Sequence, residues 1–284
     1  MTTATVDLTT AASEADGGAG FEGLAAYFRN VVVMTRRNLV HIAREPMQLS
    51  DVTVQPVLFT LLFIYVFGSG IPIAGGSYKD FALAGLLTLN LTTSTMGTAV
   101  GLSTDLHEGV IDRFRTLPMW RAAILVGRSI SDVMSATVCV IIVALTGLAV
   151  GWRPDASVPS VVGGFAIALI FSYSLSWASA CFGLNSKGPE SAQSLGFIFL
   201  FPLAFISNSL VPTTGMPGWL QAIANWNPVS AVTAAARHLF GNPNPSAHAW
   251  PMEHPVEAAL LWSVAILAVC APLAAHFFRV RTAE

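Results

Sequence analysis

Charge is scarce in this chain. Asp, Glu, Lys and Arg make up only 11% of its 284 residues, against roughly a quarter in a soluble domain. The formal net charge of -2 leaves no basic field for nucleic acid to bind. Cysteine is sparse too: Cys139, Cys181 and Cys270 each lie inside an apolar run with no metal-ligand spacing. They read as small buried hydrophobes rather than a disulfide framework or a metal site. The first 20 residues contain no basic residue and no apolar core. No cleavable signal peptide is visible there, and the expectation for residues 1–20 is a disordered cytoplasmic tail.

Catalytic motifs are missing as well. The nearest approach to a phosphate loop, Gly183-Leu-Asn-Ser-Lys187-Gly188, has Pro189 where the lysine is needed. His107-Glu108 lacks the second histidine of a zinc protease, and no Gly-x-Ser-x-Gly elbow occurs. His248, Glu253 and His254 fit a polar loop better than a metal site. The expectation is a non-enzyme that holds no metal and no cofactor of its own.

What the chain has in quantity is apolar sequence, 54% of the total, and it is clustered. Six segments approach the length of a membrane span: about Val52–Ile71, Phe81–Ser103, Ala122–Val150, Val158–Leu184, one starting near Ser191, and Val256–Phe278. Of the 14 Lys and Arg residues, all but Lys79, Arg153 and Arg237 fall before span one, between spans two and three, between four and five, or after six. This positive-inside bias predicts a multi-pass protein of the inner (plasma) membrane with both termini in the cytoplasm. The predicted class is all-α, with six transmembrane helices in a permease domain over residues 46–284. Residues 21–45, with apolar Phe21, Leu24, Phe28, Val32 and Leu39 and arginines elsewhere, predict an interfacial amphipathic helix leading into it.

Two stretches do not fit as spans. Between spans two and three, Asp105 to Arg128 reads DLHEGVIDRFRTLPMWRAAILVGR. On a helix its charges cover one side while Leu106, Val110, Phe114 and Leu117 cover another, until Pro118 ends the pattern. Such a helix lies on a membrane surface or docks on a soluble partner. Between spans five and six, Ser207 to Pro255 is rich in Pro, Gly, Asn and Trp, with two apolar stretches too short to cross. It predicts external re-entrant helices.

Within the spans ionisable groups are few. Asp132 lies four residues after Arg128, the spacing of an intrahelical ion pair. The span interiors offer instead Asn90, Thr93, Tyr173 and Trp177 among further Ser and Thr. Such a wall suits a hydrophobic or amphipathic cargo, while hydrogen bonding between helices explains the same residues. Gly97/Gly101 and Gly147/Gly151 have the small-xxx-small spacing that permits close helix contact.

Glu108-Gly109, Arg113-Phe114-Arg115-Thr116-Leu117-Pro118 and Gly127-Arg128, in that order, resemble the cytoplasmic signature of the permeases of type-two ATP-binding-cassette exporters. Asn208-Ser209-Leu210-Val211-Pro212, Met216-Pro217-Gly218-Trp219-Leu220 and Asn227-Pro228-Val229-Ser230 resemble the external motif of the same family, nearest its daunorubicin-resistance-type subfamily. His107 departs from the Lys or Arg usual there. The resemblance implies that a separate cytoplasmic ATPase, present in two copies, binds ATP and Mg, and that a second permease subunit completes the complex. It implies that Leu106, Glu108, Gly109, Asp112, Arg113, Arg115 and Pro118 belong to the coupling helix that meets the ATPase. Asn208, Pro212, Trp219, Trp226, Asn227 and Pro228 would form an external cap, with interfacial anchoring the competing explanation for the tryptophans. The cargo implied is a drug, lipid or natural product. The alternative is an ion-coupled secondary multidrug carrier, which needs membrane-buried acids and inverted repeats that the sequence lacks.

Overall fold

The computed structural model describes residues 32, 46–68, 70–108, 121–245 and 249–281. The expected tail, nearly all of the 21–45 helix, and residues 109–120 lie outside the described residues. Every regular element among the described residues is helical.

In chain order these are α1 Pro46–Leu62, which continues into a π-helical turn Phe63–Phe67, then α2 Tyr78–Ser94, α3 Met96–His107 and α4 Arg121–Ala149. They are followed by α5 Val158–Asn185, α6 Pro189–Phe205, α7 Gly218–Trp226, α8 Pro228–Phe240, α9 Trp250–Glu253 and α10 Pro255–Arg281. Among the described residues, four segments are long and apolar enough to cross a membrane: Leu49–Phe67, Val126–Ala149, Val158–Asn185 and Pro255–Arg281. They correspond to expected spans one, three, four and six.

Spans two and five take a different form. Expected span two is split into α2 and α3 at Thr95. The sequence Asn90-Leu-Thr-Thr-Ser-Thr95 supplies the reason. The hydroxyls of Thr92, Thr93, Ser94 and Thr95 each donate to a carbonyl three or four residues back. These bonds compete with the helical N–H groups for the same oxygens, and such crowding bends helices. Expected span five is α6, only 17 residues long, with Pro202 near its end.

The bundle has two ends. The lower end gathers the last residues of α3, the first of α4, the end of α5 at Ser186, and Phe278 of α10. Ser186 donates to Ser103 across the α5–α3 contact at 2.7 Å, and Phe278 packs in one cluster with Leu102, Trp177 and Leu184. The upper end gathers the start of α2, the α4–α5 turn and residues 206–245 and 249–254. Lys79 donates to Gly151 O across it at 3.0 Å.

The main core joins α2, α4, α5 and α8 around Trp152, Phe171 and Phe240, with the Trp152 and Phe240 rings set edge to face at 5.4 Å. Helix α2 is its axis: residues 81–92 are all buried. Outward, Ile130, Met134, Val138, Ile141 and Leu145 form one exposed apolar stripe along α4 at helical spacing. In a membrane such a face costs nothing, because lipid is as apolar as leucine.

Close backbone approach occurs at glycines other than the expected pairs. A Cβ on Gly85 would stand 1.7 Å from Ser209 O, and one on Gly183 would stand 2.5 Å from Ala99 O. A Cβ on Gly97 would meet open space, and Gly147 faces only the Leu83 side chain. Gly85→Val therefore forces α2 away from the 207–210 segment. We expect a loss of about 2 kcal/mol or more, read as a fall in melting temperature in detergent, whereas Gly97→Val leaves it nearly unchanged.

Candidate functional site

At the lower end, α3 and α4 are the two helices that emerge on either side of residues 109–120. Leu106 is half-buried against the Trp177 cluster, and Glu108 is exposed just past the end of α3, its N–H donating to Thr104 O at 2.9 Å. Gly109, Asp112, Arg113, Arg115 and Pro118 lie outside the described residues.

One side chain ties the two helices together. Arg128, on the first turns of α4, donates through Nη2 to Gly97 O at 2.9 Å. Its Nη1 lies 3.8 Å from Asp105 and its Nε 3.8 Å from Asp132. The other oxygen of Asp132 accepts from Thr98 Oγ1 at 2.8 Å. The i, i+4 pair expected within α4 is thus present, and α3 adds a second carboxylate and a carbonyl. A Cβ on Gly101 would stand 2.1 Å from Nη2, so the guanidinium occupies the space that glycine leaves. Gly97, Gly101 and Asp105, spaced by four, form the rail along α3 on which Arg128 lies.

At the upper end the organising group is Arg237 of α8, completely buried. Its Nε donates to Phe81 O at 2.9 Å, and its Nη2 donates to Asn208 O at 2.8 Å and Ser209 O at 2.9 Å. The guanidinium lies 3.5 Å from the centroid of the Phe81 ring. Nη1 has no hydrogen-bond partner, nor does Asn208 Oδ1. The cation is held by carbonyl dipoles and a ring face; no salt bridge to it is found among the described residues. Charge-assisted bonds of this kind contribute about 1.5–3 kcal/mol each, and a desolvated cation–π contact about 2 kcal/mol. Together they offset a desolvation penalty of several kcal/mol.

Asn227 works beside it as a double cap. Its Oδ1 accepts from Val229 N–H at 2.8 Å, closing the N-terminus of α8, where Pro228 takes the first helical position. Its Nδ2 donates to Leu203 O at 2.7 Å and Ile206 O at 2.6 Å, where α6 ends. Ser230 Oγ accepts the N–H of Asn208 at 2.9 Å. Two expected motifs, one around Asn208 and one around Asn227, are therefore one hydrogen-bonded unit.

A family model described as ABC-2 type transporter matches residues 29–240. The chain belongs to the ABC-2 type transporter family. It is 36% identical over 239 residues, 84% of this chain and 82% of the relative, to a daunorubicin resistance ABC transporter permease of Streptomyces coeruleorubidus. A probable doxorubicin resistance ABC transporter permease of Mycobacterium tuberculosis is 26% identical over 268 residues, covering 90% of this chain and 91% of that one. A putative transport permease of Porphyra purpurea is 24% identical over 219 residues, 75% of each chain. Family and apolar helices together make this a multi-pass membrane protein, and an ABC transporter permease implies a partner ATP-binding subunit.

The remaining expected site residues of this ABC-2 permease fall in separate places. Trp219 and Trp226 of α7 are exposed, while Pro212 and Pro228 are half-buried. Asn90 donates to Leu86 O at 2.8 Å and Thr93 to Leu89 O at 3.0 Å, both within α2. Tyr173 and Trp177 sit together on α5 with rings edge to face at 6.4 Å, and the buried Trp177 Nε1 has no partner.

Counted by loop charge, Arg237 is one of three cations on the far side, and by resemblance it stands where the family usually has a basic residue; neither reading foresees its burial. A local signal of that burial is its setting, AVTAAAR, where small residues precede it with no acid nearby. Replacing Arg237 with Met strands three buried carbonyls. At about 1–3 kcal/mol each, that predicts a stability loss of about 3 kcal/mol or more by thermal melting. Arg237→Lys falls between, because one ammonium lacks the planar fork that reaches both Phe81 and Asn208.

Proposed function

We propose that this chain is the six-span permease half of an exporter that moves a hydrophobic or amphipathic compound out of the cytoplasm or inner leaflet. A separate ATPase, two copies per two permeases, binds ATP and Mg and drives it. In this reading both termini and residues 105–128 face the cytoplasm of the plasma membrane. The split pair α2/α3 and the short α6 complete the six crossings, while α7 and α8 are external re-entrant helices. The domain plan is a cytoplasmic tail (1–20), an interfacial helix (21–45) and the permease domain (46–284).

The observation that carries the reading is the lower clasp, taken with membership of the ABC-2 family. Two helices flank a charged twelve-residue stretch and are joined to one another at its root. A stretch so mounted suits a docking element: Glu108, Asp112, Arg113 and Arg115 supply polar contacts, Leu106 ties it to the bundle, Gly109 allows close approach and Pro118 fixes the exit. A docked ATPase shifts the permease between states only through contacts that differ between them. Asn90, Thr93, Tyr173 and Trp177 are the proposed cargo path, with the free Trp177 indole N–H as a donor.

Two experiments test this. Glu108→Ala and Arg113→Ala, made separately and co-expressed with the ATPase, are each expected to weaken its co-purification about 10-fold, the effect of one interfacial hot spot. Export of daunorubicin, the probe suggested by the relatives, falls in parallel. Intact assembly with unchanged export in both variants refutes the docking role. For the cap, Asn208, Pro212, Asn227 and Pro228 form the frame, and Trp219 and Trp226 the closing surface. Trp226→Cys should then be labelled by a water-soluble maleimide in one nucleotide state and protected in the other. Equal labelling in every state removes the seal and leaves interfacial anchoring.

A further inference from the structure

Three cysteines look alike in sequence, each a small residue inside an apolar run. The structure divides them. Cys139 of α4 is buried in the main core beside Val140 and Val143, apart from the other two. Cys181 of α5 and Cys270 of α10 instead face one another across a helix contact. The Cys181 thiol donates to Cys270 O at 3.4 Å, and each of the two side chains is within hydrogen-bond reach of the other. Both are free thiols.

Their surroundings limit what such a pair can hold. Both belong to the lower cluster with Leu102, Trp177, Leu184 and Ala274. Among the described residues, no group of three or more His, Cys, Asp or Glu could hold a metal ion, so the ligand set of a zinc site is not complete here. A soft monovalent cation between two thiolates leaves a net negative charge in an apolar wall, where it is costly. A neutral group that joins the two sulfurs avoids that cost. Access differs between the thiols: Cys181 is buried, while Cys270 is half-buried between exposed Val269 and Leu273. An apolar reagent dissolved in lipid therefore meets Cys270 first, on a face that repels a hydrated ion.

We infer that Cys181 and Cys270 form a dithiol site that takes a neutral trivalent arsenical, which bridges the two sulfurs and ties α5 to α10. Both S–H bonds and the As=O bond break, and two As–S bonds form. The two protons leave with the oxygen as water, arsenic stays trivalent and neither sulfur is oxidised. Once the first bond forms at Cys270, the second thiol is already beside it, so ring closure is intramolecular. Linking of that kind strengthens retention about 100-fold or more over a single bond. Cys139, with no thiol facing it among the described residues, lacks that gain. The chemistry is the same whether or not the chain works as an exporter.

The test uses the full chain in lipid vesicles, reduced beforehand and then treated with phenylarsine oxide. Arsenic that survives a wash with a monothiol is measured by elemental mass spectrometry. About one arsenic per chain should survive that wash and be removed by dimercaptopropanol, because only a competitor with two linked thiols matches the pair. A digest should yield the peptides of Cys181 and Cys270 joined through one arsenic. Cys181→Ala and Cys270→Ala should each raise the concentration for half-retention about 100-fold or more, whereas Cys139→Ala leaves it unchanged. Melting in detergent checks that each variant is folded, and the contrast between monothiol and dithiol on the unaltered chain needs no variant. The dithiol site is refuted if the unaltered chain keeps no arsenic through the monothiol wash. It is refuted equally if Cys181→Ala or Cys270→Ala retains arsenic at the unaltered concentration, or if Cys139→Ala loses it.

Discussion

Everything at the upper end depends on where a buried positive charge finds electron density. Arg237 reaches Phe81 on α2 and the bend at Asn208 and Ser209 in one span of its guanidinium. These partners come from segments 156 and 29 residues away in sequence. The carbonyls it uses are ones that broken helices leave behind: the segment after α6 has no ladder of its own, and its backbone oxygens need donors. A neutral side chain of the same length would leave them unsatisfied in an apolar setting, where each costs more than in water. Gly85 completes the arrangement by letting α2 approach Ser209 without a Cβ between them.

The same chemistry is used at both ends at different degrees of burial. Above, Arg237 makes three short bonds and a ring contact with no water access, and Asn227 and Ser230 brace the same bend. Below, Arg128 makes one short bond and two long pairs at a partly wet surface. Between them the Thr and Ser at the end of α2 spend their hydroxyls on their own helix, and Thr95, where α2 gives way to α3, also accepts a bond from Ser179 of α5.

Much of the bundle was legible from apolar length. Expected spans one, three, four and six match continuous helices to within a few residues, because an uninterrupted run needs only its own backbone bonds to form. Spans two and five are legible as apolar, but neither the division of the one at Thr95 nor the shortness of the other is: a run of Thr and Ser bonded to its own helix has the same sequence as one that faces a neighbour. The Arg128–Asp132 pair was readable from its i, i+4 spacing, whereas Asp105 was not, since it lies across a fold-back whose register no local pattern encodes. The spacing of Gly97 and Gly101 points to close helix contact, but within the chain it is the Arg128 guanidinium that fills the space at Gly101. Arg237 shows the deeper limit, because a count of loop charges carries no information on burial.

The burial of α2 has a consequence for how the protein is made. A helix enters a bilayer on its own when it offers lipid an apolar surface. From Phe81 to Thr92 this one offers almost none once folded, and its next residues are hydroxyls. Its neighbours α5 and α8 are synthesised 66 or more residues later, counting from Thr92 to Val158. Until they arrive, residues 81–92 lack the partners that bury them, so the packing of α2 is completed only after α8 is made and its arginine reaches Phe81.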